Sequence, residues 1–270
     1  MSSREPRYSA IVLAGDRSSD DPVASAAEAS CKALAEIGGQ PMLWRVIDTL
    51  RSSSTVDEIL VCGPPTQALE SDPTTAERLE SLGVVRVGLE STPTRSVMRA
   101  LNHIDADKPV LITTADHALL TSEMVDHFTR SALEDEHDAL LGLARYRDVE
   151  AAYPNIRRTV TRLSDDGYCG CNLFALTSPS ARKAVEFWTR IEHDRKKPMR
   201  VVAALGWSGI ALYAIGRLSL TGALSRLSKK LGIRVGGVIM PFAEAAIDVD
   251  TPADLELVRN IIARREDLGS

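Results

Sequence analysis

Cysteine is scarce in this 270-residue chain: Cys31, Cys62, Cys169 and Cys171 are too few and too scattered for a disulfide framework. Cys169-Gly-Cys171 lacks the spacing of a zinc knuckle or a redox pair, so all four read as reduced thiols of a cytoplasmic protein. No stretch approaches the roughly 18 uninterrupted apolar residues of a membrane span. The opening MSSREPRYSAIVLAG has no long apolar core and no small-residue cleavage site, so no secretory leader is expected. Positive charge is not in excess either: 32 Lys and Arg face 37 Asp and Glu, net −5. Without a global basic field, nucleic acid is excluded as a partner, and any anionic ligand must be held locally by a few cations and a metal. Repeats, low-complexity tracts and Pro/Gly/Ser linkers are also missing, which favours one continuous domain over 1–270. What remains is ordinary enzyme composition, 44% hydrophobic and 26% charged.

Along the first half, apolar runs alternate with helical periodicity. Tyr8–Ala14 (YSAIVLA) is a strand buried on both faces, ending at Gly15. Helices are expected over Pro41–Arg51, Thr75–Leu82, Thr94–Ile104 and Thr121–Leu133, the last with Thr121 as N-cap. Between them lie strands at Asp57–Cys62, Val84–Val87 and Pro109–Thr113. This rhythm implies βαβ units and a mainly parallel sheet. The second half reads as strands at Asp138–Tyr146, Arg157–Leu163 (more exposed) and Tyr168–Leu176, then almost wholly helix from Ser178 to Leu231. A strand at Arg234–Met240 and a helix at Thr251–Arg264 close the chain, the helix marked by Thr251 as N-cap, Pro252 next and Asp254 at its third position.

Three segments carry chemistry, each where ligands bind in such sheets, at the carboxyl ends of strands. The first is the loop from Gly15 to Lys32, where Gly15 lets backbone approach a ligand and Arg17 and Lys32 supply positive charge. On charge alone, a surface loop with an incidental Arg and Lys is the plainer reading. The second is Thr113-Thr114-Ala115-Asp116-His117, an aspartate directly after a buried strand, suited to Mg²⁺. His117 beside it is read as structural and given no role. In the third, Asp248-Val249-Asp250-Thr251-Pro252, the two aspartates alternate along an extended segment and so share a face. Helix capping would explain one of them and not the pair.

In combination, LAG…K-x-L…G-x-P-M-L, an Asp after the fourth strand and D-x-D-T-P-x-D-L resemble the MobA-like nucleotidyltransferases over residues 8–120 and 234–264. The resemblance implies an α/β, Rossmann-like GT-A-type fold: a central mainly parallel mixed sheet, helices on both faces and a helical insert in the second half. It implies a nucleotide-binding half over 1–135, an acceptor-binding half over 136–233, and a closing strand and helix over 234–270. It further implies a Mg²⁺-dependent enzyme moving NMP from an NTP, CTP or GTP, onto a phosphorylated small-molecule acceptor. Leu13, Ala14, Gly15, Asp16 and Ser96 would then contact the nucleotide, and Lys32 and Arg17 its phosphates. Asp116 and Asp250 would carry the metal, with Asp248 the lesser alternative.

One departure stands out. Where the family has a Gly-rich loop, this chain reads Gly15-Asp16-Arg17-Ser18-Ser19-Asp20-Asp21, setting acidic groups near the phosphates. A non-catalytic nucleotide sensor therefore stays open, as does a related glycosyltransferase, although Thr114-Ala115-Asp116-His117 lacks the D-x-D pair such enzymes carry there. The 190–230 segment has two readings. It is a buried helical cap behind a solvated basic stretch, or an acceptor site in which Asn172, Arg195, Lys196 and Lys197 hold the acceptor phosphate and the apolar helices rest on a membrane surface.

Overall fold

The computed structural model describes residues 6–16, 20–154, 156–191 and 206–269. Strand β1 (Tyr8–Leu13) sits inside an eight-stranded sheet and sends alternate side chains to opposite faces. Ala10 and Val12 enter one buried cluster and Ile11 the other, which is why the run carries no polar face. β4 (Val56–Cys62) and β6 (Val110–Thr114) flank β1 in parallel, and β5 (Val85–Val87) extends the sheet beyond β4. Past β6 comes β9 (Gly167–Leu176), antiparallel to both β6 and β7 (Ala139–Arg145); β10 (Val235–Ile239) runs parallel to β7 at the edge. The order is β5-β4-β1-β6-β9-β7-β10, the mainly parallel mixed sheet expected.

Helices α2 (Met42–Ser52) and α6 (Ser122–Glu134) cover one face through Leu43, Ile47, Leu50, Val125 and Phe128. The other face is covered by α5 (Pro93–Leu101), α8 (Arg182–Ile191) and α10 (Leu220–Leu231). The closing helix α11 (Pro252–Gly269) packs Leu255, Val258 and Ile261 on Ile37, Met42 and Val249. Its start is a reciprocal cap: Thr251 Oγ1 accepts from the Asp254 N–H (3.2 Å), and Asp254 Oδ2 accepts from the Thr251 N–H (2.9 Å). Thr121 likewise accepts from the Met124 N–H at the start of α6.

Other expectations are corrected. Only β8 (Thr161–Arg162) of the exposed strand expected over 157–163 pairs with a neighbour, β9. Arg158 is drawn inward by carboxylates rather than into a ladder. Tyr146 does not end a strand but begins α7 (Tyr146–Ala152). Short pieces escaped the sequence because they span too few residues to show a period. These are α1 (Pro22–Ala26), capped by the Asp21 carboxylate, α3 (Thr66–Ser71), and the hairpin of β2 (Glu36–Ile37) with β3 (Gln40–Pro41). α4 (Pro73–Ser81) matches the helix expected there, shifted by a residue or two. The helical stretch of the second half appears as α8, α9 (Gly206–Ala214) and α10. α9 is not a buried cap: of its residues only Gly209 is buried. Arg195, Lys196 and Lys197 lie outside the described residues.

Candidate active site

Backbone bonds assemble the site before any side chain does. The Ala115 N–H donates to the Leu13 carbonyl (2.9 Å), tying the end of β6 to the end of β1. The Val249 N–H donates to the Asp116 carbonyl (3.0 Å), bringing the 248–250 segment against that junction. Ala14 donates to the Cys62 carbonyl, and Gly63 crosses so close that a Cβ there would stand 2.6 Å from the Ala14 oxygen. With φ at +109°, only glycine is comfortable at 63. Onto this frame a short 3₁₀ turn, Lys32–Leu34, delivers Lys32. Its ammonium nitrogen lies 2.6 Å from Asp116 Oδ2 and 2.9 Å from Asp250 Oδ1. Residues 32, 116 and 250 thus meet at one point.

Asp116, Asp248 and Asp250 each bring a carboxylate oxygen within 4.8 Å of the others. Three like charges so close need cations, and two side chains provide them differently. Burial alone would push the Lys32 ammonium down, but Asp116 and Asp250 outweigh it and hold its pKa above the ordinary lysine value. Arg158, with a side chain only 8% exposed, pairs with Asp248 Oδ1, bonds the Asp248 carbonyl (2.8 Å) and reaches Asp254 Oδ1 (3.1 Å). Asn172 donates to the remaining Asp248 oxygen (2.8 Å), from a backbone with φ at +49°. Even so, burial first, then Asp116 and Asp250, keep the Asp248 carboxyl above its usual range.

The donor set fits a small hard cation. Among the described residues, Asp116 Oδ1 is buried with no hydrogen-bond partner, beside the Lys32 pair. Both Asp248 oxygens, by contrast, already accept from Arg158 and Asn172.

The sequence candidates divide accordingly. Lys32, Asp116, Asp248 and Asp250 come together, with Asp16 beneath them: its Oδ1 accepts from the Lys32 N–H (3.0 Å) and so anchors the turn. Burial raises the Asp16 pKa against that bond. The Leu13 carbonyl and the Ala14 N–H are engaged within the fold. Ser96 is buried, its hydroxyl accepting from the Glu90 N–H (3.0 Å), which shapes the loop before α5. Asn172 belongs to the Asp248 network. Arg17 lies outside the described residues. His117 is fully buried and pushed down to about 4 by burial, a neutral ring consistent with a structural part. Arg158 was missed: one arginine in an alternating segment carries no motif, and only the fold shows what it faces.

Residues 10–227 match a family model described as the MobA-like NTP transferase domain. The chain belongs to this family. It is a nucleotidyltransferase, and the Rossmann-like GT-A-type sheet implied by the sequence is the fold it has. This MobA-like transferase is 29% identical over 266 residues to a 2-C-methyl-D-erythritol 4-phosphate cytidylyltransferase of Frankia casuarinae, covering 96% of the chain and 82% of that relative. A hypothetical transferase from Thermus thermophilus superposes with TM-score 0.75 at 26% identity, over 92% of this chain and 99% of the other. Two others share the fold. A 4-diphosphocytidyl-2C-methyl-D-erythritol synthase from Anaerococcus prevotii gives TM-score 0.57 at 15% identity, over 96% of this chain and 99% of that one. A CMP:2-keto-3-deoxy-manno-octonic acid synthetase in complex with CTP gives 0.56 at 16%, with the same coverage. Among the described residues, no helix is long and apolar enough to cross a membrane.

Proposed function

We propose that the chain is one Mg²⁺-dependent nucleotidyltransferase domain, active in the cytoplasm, that moves CMP from CTP onto the phosphate of a small polyol phosphate. The observation that carries it is the convergence of Lys32, Asp116 and Asp250 at the ends of β1 and β6, where a phosphate chain has both a cation and carboxylates to meet. CTP is favoured over GTP because the relative matched over nearly the whole chain is a cytidylyltransferase for a phosphorylated acceptor.

Asp116, through Oδ1, and Asp250 would hold Mg²⁺; Asp248 would set the segment that carries Asp250. Bound there, the ion supplies Lewis-acid neutralisation of phosphate charge. An acceptor phosphate oxygen attacks the α-phosphorus in line; the new P–O bond forms as the bond to the β-phosphate oxygen breaks, and pyrophosphate carries away the electron pair. Lys32 offsets the charge gathering on the phosphoryl oxygens. The attacking group is already an anion, so no side chain need take a proton, consistent with a buried neutral His117.

Pyrophosphate release from CTP, GTP, ATP and UTP, with 2-C-methyl-D-erythritol 4-phosphate first among acceptors, tests the reading. Acceptor-dependent release with CTP is expected. Release with GTP alone would change the donor, and none with any pair would turn the reading towards a nucleotide sensor.

A further inference from the structure

We propose that the Lys32 ammonium keeps divalent metal out of the nucleotide-free site, an autoinhibitory contact released when a phosphate chain takes the lysine. The inference rests on the metal role proposed above for Asp116 and Asp250. These two carboxylates already share an internal cation. Lys32 Nζ lies 2.6 Å from Asp116 Oδ2 and 2.9 Å from Asp250 Oδ1, and only 13% of the side chain is exposed. An ion that takes both carboxylates as ligands must compete with an ammonium seated on both. Asp248 cannot relieve that competition, because Arg158 and Asn172 hold its two oxygens.

Charge decides the contest. A charge at such range moves a carboxylate's affinity for a proton by about one to three powers of ten, and a doubly charged ion feels it at least as strongly. The turn is built so that the ammonium can leave alone. Asp16 Oδ1 accepts from the Lys32 N–H (3.0 Å), the Lys32 carbonyl accepts from the Ala35 N–H (3.1 Å), and Ala33 and Leu34 are packed into the core. The main chain at 32 is thus fixed, while the four-carbon stem can re-aim its charge. Lys32 is also the group proposed to meet the nucleotide's phosphates, so the arrival of nucleotide and the admission of metal are one event. Were the lysine instead a fixed strut with the ion bound beside it, removing it would leave metal affinity unchanged or lower.

Mn²⁺ binding to the nucleotide-free full chain, read from the electron paramagnetic resonance signal of the free ion, is the test. Lys32→Met should bind Mn²⁺ about tenfold or more tightly than the parent, the scale of one neighbouring charge. Lys32→Arg keeps the charge and should stay near the parent. The gain should vanish in Lys32→Met/Asp250→Asn. Lys32→Met should also melt lower than the parent in EDTA and recover with Mn²⁺, a readout that holds even where the ion-free variant is partly unfolded. Equal affinity in the parent and Lys32→Met, a gain that survives Asp250→Asn, or an equal gain in Lys32→Arg would each overturn the proposal. None of these readouts involves turnover. Pyrophosphate release can fail with every nucleotide while the exclusion of metal stands, and the exclusion can fail while release persists.

Discussion

Asp248 and Asp250 are two residues apart on the same extended segment, and they meet opposite surroundings. Asp248 is closed off: Arg158 and Asn172 occupy both its oxygens, and Arg158 also ties it to Asp254 at the start of α11. Asp250 faces Lys32, a cation on a long flexible stem delivered by a separate turn, and shares it with Asp116. A rigid buried guanidinium suits a joint, whereas a lysine between two carboxylates can shift when a phosphate or a metal arrives. On the proposed function, identical residues divide the work, one bracing the site and the other taking part in its chemistry.

The strongest way to break this contrast is Arg158→Met. It leaves two carboxylates poorly compensated, and a loss of about 3–5 kcal/mol in unfolding free energy is expected from urea denaturation. A variant as stable as the parent would show that Asp248 is not held as described. Asp116→Asn and Asp250→Asn should do the reverse. Turnover falls at least about a hundredfold, roughly 3 kcal/mol of transition-state stabilisation, while the melting temperature moves little. Should Asp248→Asn match that loss with unchanged stability, the division of labour would disappear.

Asn172→Ala is a finer probe, removing the bond to Asp248 and placing alanine at positive φ, for about 1–2 kcal/mol. Asn172→Gly keeps the backbone at ease and should cost less; equal losses would assign the effect wholly to the hydrogen bond. The smallest effects are expected at Asp16. Asp16→Asn can still accept from the Lys32 N–H while shedding a negative charge, so kcat/KM for the nucleotide should rise by a few-fold. Asp16→Gly frees the turn and should lower it. A rise in both would make Asp16 a brake rather than an anchor.

Much of this was legible in the sequence. β1 announced itself because a strand buried on both faces is apolar almost throughout, and α6 and α11 because their caps are side-chain chemistry. Asp116 stood out as a carboxylate right after a buried strand, and Asp250 because it alternates with Asp248 along one segment; the structure brings both to Lys32. The Arg158 clamp was not legible, since its partner Asp248 lies 90 residues away. Nor was the help Asp16 gives Lys32, because the bond goes to a backbone N–H, and every residue except proline has one. A loop that looked hostile to phosphate on charge alone has part of its acidity turned inward.

The bond from the Val249 N–H to the Asp116 carbonyl has a wider consequence. Both partners are main chain, so nearly any residues could stand at 116 and 249 and leave it intact; only proline at 249 would delete the donor. The frame that spaces the carboxylates is therefore inherited separately from the carboxylates. A descendant could exchange every reactive group, keep the same outline to a fraction of an ångström, and be chemically silent. Within this fold, shape records ancestry, and activity has to be read from the side chains one at a time.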